Sequence, residues 1–274
     1  MISLEPLLNK NFVEDVVSIA RLAGHKIQPF YLAIQSNQLQ SLIIQTKKDA
    51  SVLTQADLEA NRFIVNALLK LNPSIPIVSE EISDSHVIQS NALFWLVDPL
   101  DGTKEFISGS DEFTVNIALV ENHRPILGVV YLPALDSIYW GAEGFGSFSV
   151  INGVTKQLTQ QDELSHPTIK VIASKNHLDK ETSAFISSLK HAEFLAAGSS
   201  YKFCKLAEGG ADIYPRFNRT CAWDIAAGHA ILKFAGGCVV DLFQNELEYC
   251  KGDVFNASFI ASRKPLDLLG VKLP

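Results

Sequence analysis

The sequence has 274 residues, 47% of them hydrophobic, enough to fill one large domain or two intimately packed ones. A net charge of -7 argues against a long polyanion as partner, because affinity for a phosphate backbone comes from clustered Lys and Arg; a single small anion held by local cations or metals is compatible with it. No apolar run is long enough for a transmembrane segment, the first ten residues do not read as a signal peptide, and Cys204, Cys221, Cys238 and Cys250 form no C-x-x-C pair, so the expectation is a cytoplasmic chain without a zinc site or disulfide framework.

Val13, Val16, Val17, Ala20, Ala23 and Ile27 recur at helical spacing and predict an amphipathic helix over residues 11–34, which Pro29 should kink or shorten. A second helix is predicted over residues 54–71, with Thr54 as N-cap and Asn72-Pro73 as its stop, followed by a short strand over 75–78. The texture then turns to β. Residues 94–97, 113–120, 126–132 and 137–140 are apolar, β-branched runs separated by turn residues, as in an antiparallel sheet with hairpins. After Asn152-Gly153, strands over 169–173, 212–214, 238–241 and 258–261 are interspersed with helices over 180–189, 200–208 and 223–234. The expected fold is α/β, an α+β layered sandwich of alternating helix and sheet layers containing two sheets. No linker-like tract occurs, so the join near residues 150–165 is read as a packed interface between an N-terminal subdomain, 1–155, and a C-terminal one, 156–274.

The segment Trp95-Leu96-Val97-Asp98-Pro99-Leu100-Asp101-Gly102-Thr103 runs from an apolar strand into two acids. A turn stiffened by Pro99 and closed by Gly102 would let both carboxylates converge beyond the strand end, and hard oxygen ligands in that arrangement suit Mg²⁺. The N–H groups of Gly102 and Thr103 would adjoin as a phosphate cradle. On spacing alone, Asp98 and Asp101 could equally be satisfying nearby backbone donors. Val78-Ser79-Glu80-Glu81 offers Glu80 as a further ligand, with Glu81 read as solvated. In Trp223-Asp224-Ile225-Ala226-Ala227-Gly228 an acid opens a helix of small residues that can approach a neighbour closely, and here capping is a strong competing reading. Thr54-Gln55-Ala56-Asp57 has the form of a capping box.

Together these segments resemble the inositol monophosphatase superfamily of lithium-sensitive, Mg²⁺-dependent phosphatases, whose signature is an acid pair after a strand, D-P-(I/L)-D-G-T and a late W-D. The stretch Gly198-Ser199-Ser200-Tyr201-Lys202-Phe203-Cys204, continuing through Tyr214-Pro215-Arg216 to Trp223-Asp224, is similar to the bacterial 3′(2′),5′-bisphosphate nucleotidase branch, as is Lys47-Lys48-Asp49 through Asp57. The chain departs from the family at Ala50 and Val52, where Gly and Pro are usual, and at Ala222 and Ile225 beside Asp224.

The resemblance implies a layered sugar-phosphatase fold and two or three Mg²⁺ ions per site. Glu80, Asp98 and the Leu100 carbonyl would serve the first ion and Asp98, Asp101 and Asp224 the second; Thr103 with Asp57 and Glu80 would handle the attacking water. Glu80, Leu100, Asp101, Gly102, Thr103 and Asp224 would also surround the cleaved phosphate, Ser199, Lys202, Arg216 and His177 would hold the nucleotide, and Lys47 and Asp49 match a closing loop. The implied reaction removes the 3′-phosphate of adenosine 3′,5′-bisphosphate in sulfur metabolism. The phosphosulfate analogue of that nucleotide, inositol phosphates and NADP remain open as substrates. Relatives of this type have been assigned to the inner membrane as peripheral proteins, and the oligomeric state stays open between monomer and homodimer. An inositol or other sugar-phosphate phosphatase is the rival within the class. A non-catalytic metal- or nucleotide-binding regulator is the rival outside it.

Overall fold

The first helix, α1, spans Lys10–Gln35 in the computed structural model, which describes residues 7–37, 44–46, 52–86, 93–160, 168–174 and 178–273. The Asn9 side chain caps it by accepting from the Phe12 N–H at 3.0 Å. Pro29 does not end the helix. It lies on the exposed face, and the turn beyond it is held by buried Tyr31. Strands β1 (Ile44–Thr46) and β2 (Val52–Thr54) form an antiparallel pair leading into α2 (Gln55–Leu71), where Thr54 and Asp57 complete the expected capping box.

A seven-stranded sheet follows, in the order β3 (Ile77–Ser79), β4 (Leu93–Asp101), β5 (Thr114–Glu121), β6 (Arg124–Leu132), β7 (Ser137–Ala142), β8 (Gly146–Ile151) and β9 (Val154–Leu158). Only β3 runs parallel to its neighbour; the others form an antiparallel meander. Strands β8 and β9 lie outside the sequence reading; in β9 four of the five residues are exposed, on both faces, which leaves no apolar alternation to read. A short helix, α3 (Thr103–Ile107), follows β4 directly.

The second sheet has five strands in the order β11 (Ala192–Ala196), β10 (Ile169–Ala173), β12 (Ile213–Arg216), β14 (Phe259–Ser262) and β13 (Cys238–Asp241). Helices α4 (Lys180–Ser188), α5 (Tyr201–Ala207) and α6 (Ala222–Phe234) interleave with these strands. Strand β11 also lies outside the sequence reading, since four of its five residues are exposed at the sheet edge.

Alternation along β4 separates the two main cores. Trp95 and Val97 pack with α1 and α2, whereas Phe94 and Leu96 pack with α5, α6 and the second sheet. A third cluster joins Phe185 of α4 to Val171, Ile213 and Ile260 on the far face. The layers therefore run helix, sheet, helix, sheet, helix, as the α/β layered expectation requires. Close approach of α6 to the large sheet depends on Gly128: a Cβ there would stand 2.3 Å from the Ala227 carbonyl oxygen. All four cysteines are free thiols, and no helix among the described residues is long and apolar enough to cross a membrane.

Candidate active site

The acid pair does not sit in a turn beyond β4. The strand continues to Asp101, and its register against β5 shifts between the Asp98–Asn116 and Asp101–Thr114 pairs. Pro99 has no N–H to give the ladder, so an irregularity is favoured at this point. Asp98 Oδ1 accepts from the Leu100 N–H at 3.1 Å, which satisfies the first backbone donor inside the irregularity. Gly102 then adopts a left-handed conformation (φ 87°) and turns the chain into α3. A Cβ there would meet both this strain and the Glu112 carbonyl oxygen at 3.2 Å.

Asp101 Oδ2 accepts from the Ser200 N–H at 2.7 Å and, more weakly, from Asn116 Nδ2 at 3.4 Å. Ser200 in turn receives a bond from Asn116 Nδ2 at 2.9 Å and donates its hydroxyl to the Asp224 carbonyl at 2.7 Å. One serine thus ties the β4 acid to the helix that carries the last acid. Asp224 is the third residue of α6, and its Oδ2 accepts from the Cys221 N–H at 2.9 Å, so the capping reading of this residue holds. Capping uses one carboxylate oxygen and leaves the other available.

Glu80 follows β3, with its N–H on the Val97 carbonyl at 3.1 Å, and its side chain lines the same cavity as Asp98, Asp101 and Asp224. Glu81 is not among the lining residues. Asp57 is buried; its Oδ2 accepts from the Thr54 N–H at 2.8 Å and from the Thr54 hydroxyl at 2.5 Å. Thr103 lines the cavity and its hydroxyl approaches the Leu100 carbonyl at 3.4 Å, a weak bond.

The cavity has a volume of about 420 Å³, within the range of small-ligand sites. Its acidic wall carries a strong electrostatic cost. Burial, then the charges of Glu80, Asp101 and Asp224, push the Asp98 carboxyl well above the usual carboxylate range. Burial and the charges of Asp101 and Glu80 do the same to Asp224. Asp101 rises less: burial lifts it, while Lys202 and the Ser200 hydrogen bonds pull it down.

These residues fit divalent cations. Asp98, Asp101 and Asp224 each have one oxygen fixed by a backbone N–H, and the other makes no hydrogen bond among the described residues. Hard carboxylate oxygens at one cavity wall match the ligand chemistry of Mg²⁺, and positive charge there would relieve the repulsion that raises their pKa values. Among the described residues, no three acidic, histidine or cysteine side chains already close round a single point. Ions would sit between acids presented from separate elements.

Cations line the same cavity. Lys202 is buried, donates to the Ser199 carbonyl at 2.5 Å and the Ala197 carbonyl at 3.5 Å, and lies 5.2 Å from the Tyr214 ring centroid. Its pKa is lowered to about 8, chiefly by burial and with a contribution from Arg216, against the opposing pull of Asp101, Glu105 and Glu112. Arg216 forms no ion pair among the described residues, and its buried Nε has no hydrogen-bond partner. Ser199, in a left-handed conformation (φ 42°), also lines the cavity, and its buried hydroxyl is unpartnered.

Glu80, Asp98, Leu100, Asp101, Gly102, Thr103, Ser199, Lys202, Arg216 and Asp224 therefore all line one cavity, with Asp57 held at the start of α2. Lys47, Asp49, Ala50 and His177 lie outside the described residues. Asn116, Ser200 and Arg219 are site residues that sequence reasoning missed. The signal for Asn116 was present: it is a polar residue inside the otherwise apolar run of β5, and it is fully buried. Arg219 carried no such local mark.

Comparison with known proteins identifies relatives of this chain. The model of the inositol monophosphatase family matches residues 12–269. The 3′(2′),5′-bisphosphate nucleotidase CysQ of Salmonella typhimurium is 41% identical over 244 residues, covering 89% of this chain and 96% of its own length. Its counterpart in Escherichia coli K12 is 40% identical with the same coverage. The crystal structure of CysQ from Bacteroides thetaiotaomicron, a bacterial member of the same family, superimposes with a TM-score of 0.79 at 35% identity, covering 94% of this chain and 98% of that one.

Proposed function

The chain belongs to the inositol monophosphatase family, and on that premise we propose that it is a 3′(2′),5′-bisphosphate nucleotidase that hydrolyses the 3′-phosphate of adenosine 3′,5′-bisphosphate. The observation that carries the reading is a cavity lined by both acids and cations. Three carboxylates, each half-satisfied by a backbone N–H, share it with a buried lysine and an arginine that has no carboxylate partner among the described residues. A single phosphate on a neutral sugar needs only the acidic wall with its ions. A second phosphate gives the basic wall a ligand.

Divalent cations, when bound at the acidic wall, supply neutralisation of the phosphoryl oxygens and leaving group and a water of lowered pKa. The chain's own residues do the rest. Glu80, Asp98, Asp101, Asp224 and the Leu100 carbonyl would hold the ions, and Ser200 and Asn116 keep Asp101 and the start of α6 in register. Thr103 would orient the attacking water at the cavity wall, supported by Asp57 from the start of α2, and Glu80, which lines the cavity, would take its proton. Gly102 and Thr103 contribute backbone N–H groups to the cleaved phosphate. Ser199, Lys202 and Arg216 bind the phosphate that is retained. Arg216 can engage two of its oxygens with a planar fork, whereas Lys202 contributes a point charge.

The test is phosphate release with Mg²⁺ from adenosine 3′,5′-bisphosphate, inositol 1-phosphate and NADP, assayed side by side. The bisphosphate should be turned over with the highest kcat/KM and release should stop with chelator. Faster turnover of inositol 1-phosphate would assign the chain to sugar phosphates. No release from any substrate would favour a binding regulator.

A further inference from the structure

The exposed residue Arg219 lines the same cavity, three positions beyond Arg216, and pairs with no carboxylate among the described residues. Its guanidinium carbon lies 3.2 Å from the centroid of the Phe255 ring. Phe255 is itself 40% exposed. A guanidinium that is layered on an aromatic ring and left without an anion presents a second flat, weakly hydrated face.

Backbone pairing holds the two residues together. The Ala222 N–H donates to the Val254 carbonyl at 2.8 Å and the Asn256 N–H to the Thr220 carbonyl at 2.9 Å, with Cys221 and Phe255 bridged antiparallel between them. Asn256 Nδ2 adds bonds to the Thr220 hydroxyl at 3.0 Å and the Cys221 carbonyl at 2.7 Å. The Phe255 N–H is capped by Asp253 Oδ1 at 2.9 Å. This clasp ends at Ala222, two residues before Asp224, so the layered pair keeps a fixed relation to the last acid of the metal wall.

We infer that Arg219, backed by Phe255, is a specificity-determining residue that stacks on the purine ring of the nucleotide. The inference rests on the bisphosphate nucleotidase reading, and it assigns a role to the part of the substrate that neither the acids nor Lys202 and Arg216 contact. Every base offers a π-face, so such a platform recognises a flat aromatic ring and leaves charge recognition to the inner cations.

The experiment compares adenosine 3′,5′-bisphosphate with ribose 3,5-bisphosphate, which carries both phosphates and no base. Arg219→Ala should raise KM for the nucleotide about tenfold, the loss of one stacking contact, with kcat within about twofold. KM for the baseless substrate should stay within about twofold of wild type. Arg219→Lys keeps the charge and loses the plane, so it should behave like the alanine variant. Equal losses on both substrates, or full rescue by Arg219→Lys, would show that Arg219 acts through charge and would overturn the platform. A wild-type enzyme that releases no phosphate from either substrate would overturn the nucleotidase reading itself, and the platform with it.

Discussion

The two walls of the cavity are built by different means. On the acidic wall, each aspartate is anchored by a backbone N–H within three residues or by the Ser200 amide, so carboxylate positions follow from backbone geometry. On the basic wall, Lys202 leans on carbonyls of the Ala197–Ser199 turn, whereas Arg216 and Arg219 have no ion-pair partner among the described residues. A rigid wall suits ions that demand near-octahedral geometry, while the unpaired guanidinium of Arg216 suits a phosphate that arrives with its own negative charge and that of Arg219, layered on Phe255, suits a flat ring. The two walls should therefore fail differently when mutated.

Asp101→Asn tests the acidic wall most severely. It removes one charge without changing volume and should lower kcat by more than about 100-fold on every substrate, because even residues that only orient a metal ligand typically cost 10–100-fold. Near-normal release at saturating Mg²⁺ would remove Asp101 from the ion site.

The basic wall should lose selectivity instead. Lys202→Ala and Arg216→Ala should each lower kcat/KM for adenosine 3′,5′-bisphosphate by about 10–100-fold, the range expected for a lost charged hydrogen bond. A nucleoside 3′-monophosphate lacks the contacted group and should be affected far less. Similar losses on both substrates would mean that these cations do not read the second phosphate.

Asn116→Ala separates support from ligation. It deletes the donor to the Ser200 hydroxyl and the weak bond to Asp101, so the Mg²⁺ concentration for half-maximal activity should rise about tenfold while kcat at saturating Mg²⁺ recovers. A lowered kcat with unchanged Mg²⁺ dependence would contradict that role.

The smallest effect is on stability. Asp98, Asp101 and Asp224 have folded-state pKa values above the ordinary 3.8. Their contribution to stability is thus fully present below about pH 4 and is lost as pH rises through the raised values, where the metal-free wall becomes charged. Bound Mg²⁺ should reverse that loss. Saturating Mg²⁺ added to chelator-treated protein should raise Tm by roughly 5–10 °C at pH 8 and by clearly less at pH 5. A thermal shift independent of pH would show that the acids do not bind the ion together.

Much of the fold was legible because helical and strand periodicities are local. The stripe in α1, the capping box of α2, the β5–β6 hairpin and the small-residue face of α6 were all readable. The elements that were missed carry little periodic signal: β9 is nearly all exposed, β11 is an edge strand, and α3 has only five residues. Pro29 does not shorten α1, which runs past it to Gln35, since its missing N–H falls on the solvent side and packing further along outweighs the loss.

The sequence by itself determined the chemistry available. The acids around Asp98-Pro99-Leu100-Asp101-Gly102-Thr103, the cap at Asp57, the late Trp223-Asp224 and the cations Lys202 and Arg216 were all identifiable from residue type and short-range pattern. Tertiary structure decided which oxygens stay free and which residues share a wall. Asp101 and Ser200 are 99 positions apart, and Arg219 meets Phe255 only because two distant loops pair through their backbones. Caps and turns act within a few residues and leave a mark in the sequence. Contacts across such separations depend on how whole layers pack, and no local pattern encodes them.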